Sequence, residues 1–467
     1  MPLEERVLDG ESELDVNGIR AGLAKLPSCA LLESANGFGD LGQFSIFAAF
    51  PRGVFEISAD QWRLSESWPG ERPEPSLSPF QALRSLLKQT AIKQKSKHVF
   101  CGGWIGYLGY DLAPLLERVP RRNAKVDTAP DLHLAYYDTF VLQDRIRNRF
   151  DVVGVDRFEE GEVRRRQRLE RLLDTISSAT PIDDEDATPL VASAPISDFT
   201  PDEYCHAVER ILEYIRAGDI FQANLSQRLS APWKGNVESL YGRSISLSPA
   251  PFASLLRHGD WAVVSTSPER FLKVEPDGWV ETRPIKGTRA RGRDKIHDLL
   301  LRAELGASPK DRAELTMIVD LERNDLGRVC EYGSVNVSGH AVVESFSNVH
   351  HLVSTVRGKL HPNRDVVDLL GASFPGGSIT GAPKIRAMEI IDELERCRRG
   401  VYTGAIGYLS DHGRADFNIA IRTIVVDGKT ATYHVGGGIV ADSNPVAEYR
   451  ETMIKGERLR AILMGEN

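Results

Sequence analysis

The sequence predicts an α+β protein in which large antiparallel β-sheets carry flanking helices. Short β-branched or aromatic runs such as WAVVSTS (261–267) and GAIGYLS (404–410) recur between the predicted helices. VVDGKTATYHV (425–435) places Asp-Gly, a typical hairpin turn, between two alternating runs. Because hairpins of this kind outnumber strand–helix–strand units, antiparallel pairing is favoured over a parallel sheet.

The chain divides by composition into two parts and a linker. Residues 1–176 are rich in predicted strands and end in a charged helix, EEGEVRRRQRLERLLDTI. Residues 177–198 are dense in proline, serine and acidic residues, which predicts a linker. Residues 199–467 hold most of the polar motifs, and we expect them to form the catalytic part of one intertwined globular unit.

The first helix of the C-terminal part has a clear start signal. In TPDEYCHAVERILEYIRAGD, Thr200 is the predicted N-cap, Pro201 occupies the first helical position and Glu203 completes a capping box. SPKDRAELTMIVDLERNDLGR opens in the same way at Ser308. A third helix is predicted to start near Thr380 or Gly381 in SITGAPKIRAMEIIDELE.

Charge and composition exclude several classes of protein. A net charge of −8 argues against bulk attraction to nucleic acid, so an anionic ligand must be bound by local cations. No apolar run is long enough to span a bilayer, and the acidic start MPLEERVLDGESELDV is unlike a secretion signal. The 5 cysteines are scattered and form no C-x-x-C pair, which predicts neither disulfides nor a zinc site and favours the cytoplasm.

A predicted C-terminal helix, in DSNPVAEYRETMIKGERL, carries charged groups on one face. Glu448, Glu451 and Lys455 are spaced i, i+3 and i+7. The simpler interpretation is a solvated, salt-bridged face. The functional alternative is a Mg²⁺ site, because Mg²⁺ is bound by one or two carboxylates together with water and substrate oxygens. Glu314, on another predicted helix, is the candidate for a further ligand.

Two other stretches allow both a structural and a functional interpretation. In ETRPIKGTRARG, Lys286 is either one more solvated cation in a basic loop or a reactive amine. In HVGGGIV, the backbone of Gly436 to Gly438 either forms a bulge or turn or offers N–H groups to an anion. His351 and Glu269 are likewise either ordinary core and surface residues or members of an active site.

Nine sequence blocks lie in order between about Asp198 and Lys455. They are GDIFQANLSQR, TSPERF, RPIKGTRARG, KDRAELTMIVDLERNDLGR, HHLVSTVRG, PGGSITGAPKIRAMEIID, YTGAIGY, NIAIRT and GGGIVADSNPVAEYRET. Together these blocks resemble the chorismate-utilising enzymes, a family that includes the large subunits of anthranilate synthase and aminodeoxychorismate synthase, and the isochorismate and salicylate synthases. The N-terminal part matches more loosely, through LLES and GGWIGYLGYD. The resemblance implies sheets that pack as a sandwich.

The resemblance implies a role for each matching residue. Glu314, Glu448 and Glu451 match the carboxylates that bind magnesium, and Glu269 matches the general acid beside the chorismate 4-hydroxyl. His351 matches the histidine near the substrate ring. The implied substrate-binding residues are Gln222, Gly287, Thr288, Tyr402, Arg422, Gly436, Gly437, Gly438 and Lys455.

Two positions separate the branches of the family. The isochorismate and salicylate branch has a water-activating lysine where this chain has Gln222, so water addition is disfavoured. The anthranilate branch typically has alanine where this chain has Lys286, whereas the aminodeoxychorismate branch has lysine. The resemblance therefore implies a lysine nucleophile and a 4-amino-4-deoxychorismate product. The alternatives are anthranilate formation and a silent chorismate-binding or glutaminase-regulating subunit.

The resemblance also implies partners. No cysteine lies in the G-x-C-x-G context of a glutaminase nucleophile, so a separate glutamine amidotransferase subunit is expected to supply ammonia. The product would lead to 4-aminobenzoate and folate through another enzyme. Some relatives bind tryptophan in the region that corresponds to LLES and SPAPF, which predicts a tryptophan site at Glu33, Ser34, Pro251 and Phe252.

Overall fold

A computed structural model of the chain shows two large antiparallel sheets with helices on their outer faces. One sheet, here sheet I, has 12 strands, and the other, sheet II, has 11. The structure describes residues 4–8, 14–35, 37–93, 96, 98–179, 188–347 and 349–466. The α+β fold predicted from the hairpins is therefore confirmed.

The strands of both sheets are numbered in chain order. They are β1 Glu4–Leu8, β2 Ser28–Glu33, β3 Phe44–Ala49, β4 Gly53–Ser58, β5 Gln61–Leu64, β6 Gly103–Leu108, β7 Leu132–Tyr137, β8 Thr139–Asp144, β9 Arg149–Gly154, β10 Ile196–Ser197, β11 Gln222–Pro232, β12 Phe252–His258, β13 Trp261–Ser267, β14 Arg270–Val274, β15 Trp279–Arg283, β16 Ile285–Ala290, β17 Asn336–Ser345, β18 Val349–Lys359, β19 Gly381–Ala382, β20 Ala405–Ser410, β21 Ala415–Asn418, β22 Thr423–Val426 and β23 Thr430–Ile439.

The helices follow the same numbering. They are α1 Val16–Leu23, α2 Pro79–Thr90, α3 Ala113–Leu116, α4 Glu162–Ser177, α5 Pro201–Arg216, α6 Val237–Leu247, α7 Lys295–Ala307, α8 Pro309–Gly327, α9 Val366–Ser373, α10 Lys384–Leu394 and α11 Pro445–Met464. Short 3₁₀ turns lie at Gly39–Gly42, Tyr110–Leu112 and Gly377–Ile379. No helix in the described ranges combines the length and apolar composition that a bilayer crossing requires.

Each sheet contains strands from both compositional parts of the chain. Sheet I runs β1-β9-β8-β3-β2-β12-β13-β22-β23-β11-β10, with β19 also paired to β11. Sheet II runs β16-β18-β15-β14-β21-β20-β6-β7-β4-β5, with β17 also paired to β18. The parts join where β2 pairs with β12 and where β6 pairs with β20. Residues 180–187 of the predicted linker lie outside the described residues, and the division itself stays a prediction.

The two sheets face each other across an apolar layer. Ile46, Phe140 and Val263 of sheet I pack in one cluster with Ile105 and Ile406 of sheet II. Helices α1, α4, α6 and α11 cover the other face of sheet I, and α2, α8, α9 and α10 contribute to the cluster on sheet II. The layers therefore form a sandwich, as the resemblance implied.

Most helix starts agree with the sequence signals. The Thr200 hydroxyl and the Glu203 carboxylate cap α5 reciprocally, and the Ser308 side chain accepts from the Asp311 N–H at the start of α8. The third predicted helix, α10, was placed too early, because it begins at Lys384. Gly381 and Ala382 pair with β11 instead, and a residue whose backbone is committed to a strand pairing cannot also begin a helix.

Removal of the Phe140 ring tests the packing between the sheets. The ring is fully buried and lies 4.8 Å from the Phe100 ring, centroid to centroid. We expect Phe140→Ala to lower the free energy of unfolding by about 3–5 kcal/mol in denaturant titrations. Ile146→Ala, at a side chain that is 66% exposed, is the control and should change it by less than about 0.5 kcal/mol. Equal effects of the two substitutions would contradict the sandwich core.

Candidate active site

Lys286 lies on β16 beside a β-bulge. Lys286 pairs with Leu352 of β18 and Thr288 pairs with His351, so Gly287 is an extra residue without a partner. Its φ of +76° lies in the left-handed region, which glycine adopts without steric cost. A Cβ there would lie 2.7 Å from the Asp311 side chain. Such a bulge re-aims the side chains beside it, and here it sets the direction of Lys286.

The Lys286 amine is largely enclosed by protein. Its Nζ donates to the Ser378 carbonyl oxygen at 3.4 Å. Burial lowers the pKa of Lys286, the charges of Glu314 and Glu269 oppose this shift, and the charge of Lys455 adds to it. The amine is therefore shifted towards the neutral, nucleophilic form.

The arginines around Lys286 do not supply the neighbouring positive charge. Arg283 pairs with Glu344, and Arg291 binds Asp298 through two nitrogens at 2.8 Å each. Arg289 pairs with Glu304 and Arg293 lies beside Asp294. The sequence left the direction of these side chains open, and the cation that acts on Lys286 is Lys455, from the far end of the chain.

Glu269 is a buried carboxyl close to Lys286. It sits between β13 and β14, where Ile285 N–H donates to its Oε1 at 3.4 Å. Burial raises the pKa of Glu269, and the Ser378 hydroxyl and the Lys286 charge only partly oppose this. The carboxyl is therefore shifted towards its protonated form, which is the form that a general acid needs.

A second buried carboxyl, Glu322 on α8, lies behind Glu269. Burial and the Glu269 charge raise the pKa of Glu322 well above its usual range. Its one hydrogen bond among the described residues comes from the Thr282 hydroxyl, at 3.0 Å. The sequence did not single out Glu322, because nothing in DLERND distinguishes it from an exposed helical glutamate. Ser378 was missed as well, although it lies in the quoted block PGGSITGAPK.

His351 is buried and neutral. Burial and the Arg422 charge lower the pKa of His351 to about 4. Its Nδ1 lies 2.9 Å from the Thr288 hydroxyl, which fixes the orientation of the ring. At neutral pH this imidazole is available as a hydrogen-bonding group and carries no charge.

Arg422 is a partly buried cation without a counter-ion. Burial lowers its pKa, and no described residue forms an ion pair or hydrogen bond with its guanidinium. Its backbone φ of +51° is unusual for a residue other than glycine, and such strain is concentrated at functional sites. An unpaired guanidinium of this kind is suited to a carboxylate ligand.

The three glycines lie within β23, which continues through them rather than turning. A Cβ at Gly438 would lie 2.5 Å from the Gln222 amide nitrogen, and one at Gly436 would lie 3.0 Å from the Tyr402 hydroxyl. On the other face, a Cβ at Gly437 would lie 3.4 Å from Glu448. The glycines therefore leave room for three of the predicted site residues to meet at one strand.

The polar side chains next to β23 differ in whether they have hydrogen-bond partners. The Gln222 amide is fully buried, and neither its nitrogen nor its oxygen has a hydrogen-bond partner in the described part of the chain. Lys455 donates from Nζ to the Gly436 carbonyl at 3.1 Å. Burial raises the pKa of Tyr402 to about 12, so its hydroxyl keeps its proton. The unpaired amide of Gln222, like Arg422, is free to contact a ligand.

The three predicted metal ligands, Glu314, Glu448 and Glu451, lie in the same region, but each has different contacts. Glu448 accepts from the Ser443 hydroxyl at 2.6 Å, and Glu451 binds Lys455 at 2.7 Å. Burial raises the pKa of Glu314, and the charge of Glu448 adds to this shift. Within the residues that the structure describes, no three histidine, cysteine or acidic side chains are close enough to enclose a metal ion.

The four residues of the predicted tryptophan site line one cavity between the sheets. Its volume is about 460 Å³, within the range of small-molecule sites. Glu33, Ser34, Pro251 and Phe252 all contribute to its wall. Arg270, the neighbour of Glu269 in the chain, lines the same cavity.

Comparison with known proteins finds similar sequences and a similar solved structure. The chain matches the family model of chorismate binding enzymes over residues 29–461. It is 39% identical over 440 residues to an aminodeoxychorismate synthase component 1 of Klebsiella aerogenes, which covers 94% of each protein. It is 38% identical to an anthranilate synthase component 1 of Pseudomonas aeruginosa, over 95% of this chain and 92% of that protein. The crystal structure of anthranilate synthase component I from Streptococcus pneumoniae superposes with a TM-score of 0.79 at 33% identity, covering 90% of this chain and 92% of that one.

Substitution of Gly287 tests the bulge that aims Lys286. Gly287→Ala places a Cβ at a φ of +76° and 2.8 Å from a Leu305 methyl group. We expect this change to lower the free energy of unfolding by about 1–3 kcal/mol and to reduce turnover as Lys286 shifts. The control is Gly327→Ala at the end of α8, where an added Cβ meets nothing within 4 Å. That substitution should be neutral, or stabilising by up to about 1 kcal/mol. Full activity in a stable Gly287→Ala protein would show that the bulge does not position the amine.

Proposed function

This chain belongs to the chorismate binding enzyme family, and on that premise we propose that it replaces the 4-hydroxyl of chorismate with an amino group, giving 4-amino-4-deoxychorismate. The observation that carries the proposal is that Ser378 contacts both Lys286, through its carbonyl, and Glu269, through its hydroxyl, so that the two groups lie close together in an enclosed site. Burial lowers the pKa of the amine and raises the pKa of the carboxyl. A neutral amine and a protonated carboxyl are the two forms needed for nucleophilic attack and leaving-group protonation.

The proposed reaction has two displacement steps. In the first, the Lys286 amine forms a bond to C2 of chorismate, the ring double bonds shift, and the C4–O bond breaks as Glu269 gives its proton to the departing hydroxyl. Water is released. In the second, ammonia bonds to C4, the double bonds shift back, and the C2–N bond to Lys286 breaks. The nitrogen at C4 then returns a proton to the Glu269 carboxylate. The sum is chorismate plus ammonia giving 4-amino-4-deoxychorismate plus water, with Lys286 and Glu269 regenerated.

Substrate carboxylates would be held by cations and hydrogen-bond donors around Lys286. The Arg422 guanidinium has no counter-ion among the described residues. Lys455, which contacts Glu451 and the Gly436 carbonyl in the free protein, and N–H groups of the Gly436 to Gly438 backbone would be further donors. Tyr402, Gln222, Thr288 and Gly287 would complete the contacts, and His351 would lie against the substrate ring as a neutral hydrogen-bonding group. Local cations at these positions would attract a dianionic ligand although the net charge of the protein is −8.

We further propose that Glu314, Glu448 and Glu451 hold Mg²⁺. Carboxylates are the side chains that Mg²⁺ prefers, and water and substrate oxygens would complete a shell that the three side chains do not enclose in the free protein. The raised pKa of Glu314 reflects burial next to another carboxylate, an environment that a dication would relieve. Bound Mg²⁺ would supply positive charge to a substrate carboxylate, and Glu451 would exchange its contact with Lys455 for the ion.

A separate glutaminase subunit is proposed as the source of ammonia. Relatives of this chain are named component 1 of a synthase, which implies a second component. The product would serve 4-aminobenzoate and folate synthesis.

The alternative activity is that of anthranilate synthase component I, the name of relatives at 38% and 35% identity. It would place the amino group at C2 and release pyruvate.

The identity of the product tests the role of Lys286. With chorismate, Mg²⁺ and ammonium, and without a partner, we expect the purified chain to form a product with the mass of 4-amino-4-deoxychorismate, and a chelator to abolish it. Lys286→Ala should lose this product and divert amination towards C2. Lys286→Arg, which keeps the charge but not a neutral amine, should fail equally. Glu269→Gln should slow the reaction by about 10²–10⁴-fold.

Two outcomes would contradict this assignment. Anthranilate and pyruvate from the wild-type chain would establish the alternative activity. An unchanged rate of 4-amination in Lys286→Ala would remove the covalent role of the lysine while leaving the product assignment intact.

The cavity at Glu33 and Ser34 is proposed to bind tryptophan. Its wall includes the Ser254 hydroxyl, which is buried and has no hydrogen-bond partner in the described part of the chain, a group that a bound ligand would satisfy. We expect L-tryptophan to raise the unfolding temperature in a saturable manner, since a ligand that binds only the folded state stabilises it. Glycine at the same concentrations is the control. No uptake of labelled tryptophan in equilibrium dialysis would reject this site.

A further inference from the structure

A second cavity lies at one end of sheet I, beside the first residues of β2. Its volume is about 460 Å³, which is enough for a small organic ligand. Its wall is formed by the segment before β2, the turn between β3 and β4, the start of β8 and helix α4. None of its residues is among the predicted active-site or tryptophan-site residues. Three arginines, Arg52, Arg168 and Arg171, line it, and none of the described residues that line it is acidic.

Two of the three arginines are fixed by carboxylates behind the cavity wall. Arg52 donates to Asp138 at 2.6 Å and to Glu160 at 2.9 Å. Arg168 donates to Glu160 at 2.6 Å, and its other terminal nitrogen lies 3.4 Å from Asp138. These two cations and two anions balance each other, so they hold both guanidiniums in place without adding net charge. The Nε of Arg168 is buried and has no hydrogen-bond partner in the described part of the chain, a donor that a ligand oxygen would satisfy.

Arg171 is the cation in this cavity whose charge is not offset. Its guanidinium carbon lies 3.7 Å from the centre of the Phe50 ring, and no described acidic side chain pairs with it. Stacking occupies the flat face of a guanidinium and leaves the N–H groups at its edge able to donate. Phe50 has a φ of +59°, which a bulky residue rarely adopts, and such strain is concentrated at functional sites. The turn at Phe50 therefore places an aromatic ring beneath a cation that can still bind an anion.

The chemistry of the wall defines the kind of ligand that would fit. Guanidiniums bind a carboxylate through paired, charge-assisted hydrogen bonds. The apolar side chains of Leu26 and Pro27 line the same cavity and would cover a hydrocarbon body. Three cations and two carboxylates leave one positive charge, which suits a monoanion better than a phosphate dianion. A set of salt bridges that served the fold alone would not need Arg171, whose side chain is exposed.

We propose that this cavity binds a small organic monoanion, whose carboxylate contacts Arg171 and Arg168 and whose aromatic or other apolar body lies against Leu26 and Pro27. The site is separate from the proposed amination chemistry, because none of its residues takes part in that reaction. It also differs from the cavity at Glu33, which lies at the other end of β2.

Binding of 2-naphthoate to the full chain tests this site, with 2-naphthamide as a neutral ligand of nearly the same shape. In isothermal titration calorimetry we expect 2-naphthoate to bind saturably and 2-naphthamide to bind at least about tenfold more weakly. Arg171→Gln should weaken the binding of 2-naphthoate by at least about tenfold, because it removes the cation whose charge is not offset. Arg216→Gln, at an exposed arginine of α5 outside the cavity, is the matched control and should leave the affinity unchanged.

A second variant tests the cavity rather than the charge. Leu26→Trp keeps every charged group but fills the space beside the arginines, so it should also weaken the binding of 2-naphthoate by at least about tenfold. If this variant lowers the unfolding temperature, Arg171→Gln, at an exposed side chain, decides the result alone.

Three results would overturn the proposal. Wild-type affinity in both Arg171→Gln and Leu26→Trp would place the bound anion elsewhere, at the proposed active site or in the cavity at Glu33. Equal affinities for 2-naphthoate and 2-naphthamide would show that the arginines do not select for charge. Equally tight binding of inorganic phosphate would show that the apolar wall contributes nothing to recognition.

Discussion

A buried ion pair between Arg399 and Glu395 holds together the segments on which the site is built. The guanidinium donates to Glu395 at 2.7 Å and also to the backbone carbonyls of Ile379, at 3.0 Å, and Asn224, at 2.6 Å. Glu395 in turn accepts from the N–H and hydroxyl of Ser226, at 2.8 and 2.7 Å. A buried pair is stable only where its remaining hydrogen-bonding groups are satisfied, and loss of one partner typically costs about 3–5 kcal/mol. Here those extra bonds join β11, α10 and the turn before β19.

One of these segments, the turn before β19, contacts both Lys286 and Glu269. It contains Ser378, whose carbonyl accepts from Lys286 and whose hydroxyl bonds Glu269. Burial acts on both members of the pair, lowering the pKa of the amine and raising that of the carboxyl. Because the two shifts have one cause, enclosure of the site drives both groups towards their neutral forms. In water, the same two side chains would form an unreactive ion pair.

Local signals in the sequence were sufficient for the caps of α5 and α8 and for the hairpin at Asp427-Gly428. The candidate site residues near Lys286 came instead from the resemblance to a family, because local signals left each of them with an ordinary structural interpretation. They failed where distant segments decide the structure. The start of α10 was misplaced because β11 pairs with Gly381 from more than 150 residues away. Lys455 was predicted to bind substrate, but its effect on the pKa of Lys286 was not foreseen. The Arg399–Glu395 pair was also missed, since an i, i+4 pair on a sequence looks the same whether it is exposed or buried.

Overall similarity does not distinguish the two amination chemistries, since relatives named for each are 39% and 38% identical to this chain. On the proposed function, most of the site would serve needs that both reactions share: binding a dianion, protonating a leaving hydroxyl and excluding water. The difference must lie in the few groups that decide which ring carbon receives nitrogen. Of these, Lys286 is the group whose chemical state the fold controls most directly, through the Gly287 bulge, the Ser378 carbonyl and the Lys455 charge. A lysine placed there without that enclosure would stay protonated, so the residue and its surroundings have to be considered as one feature.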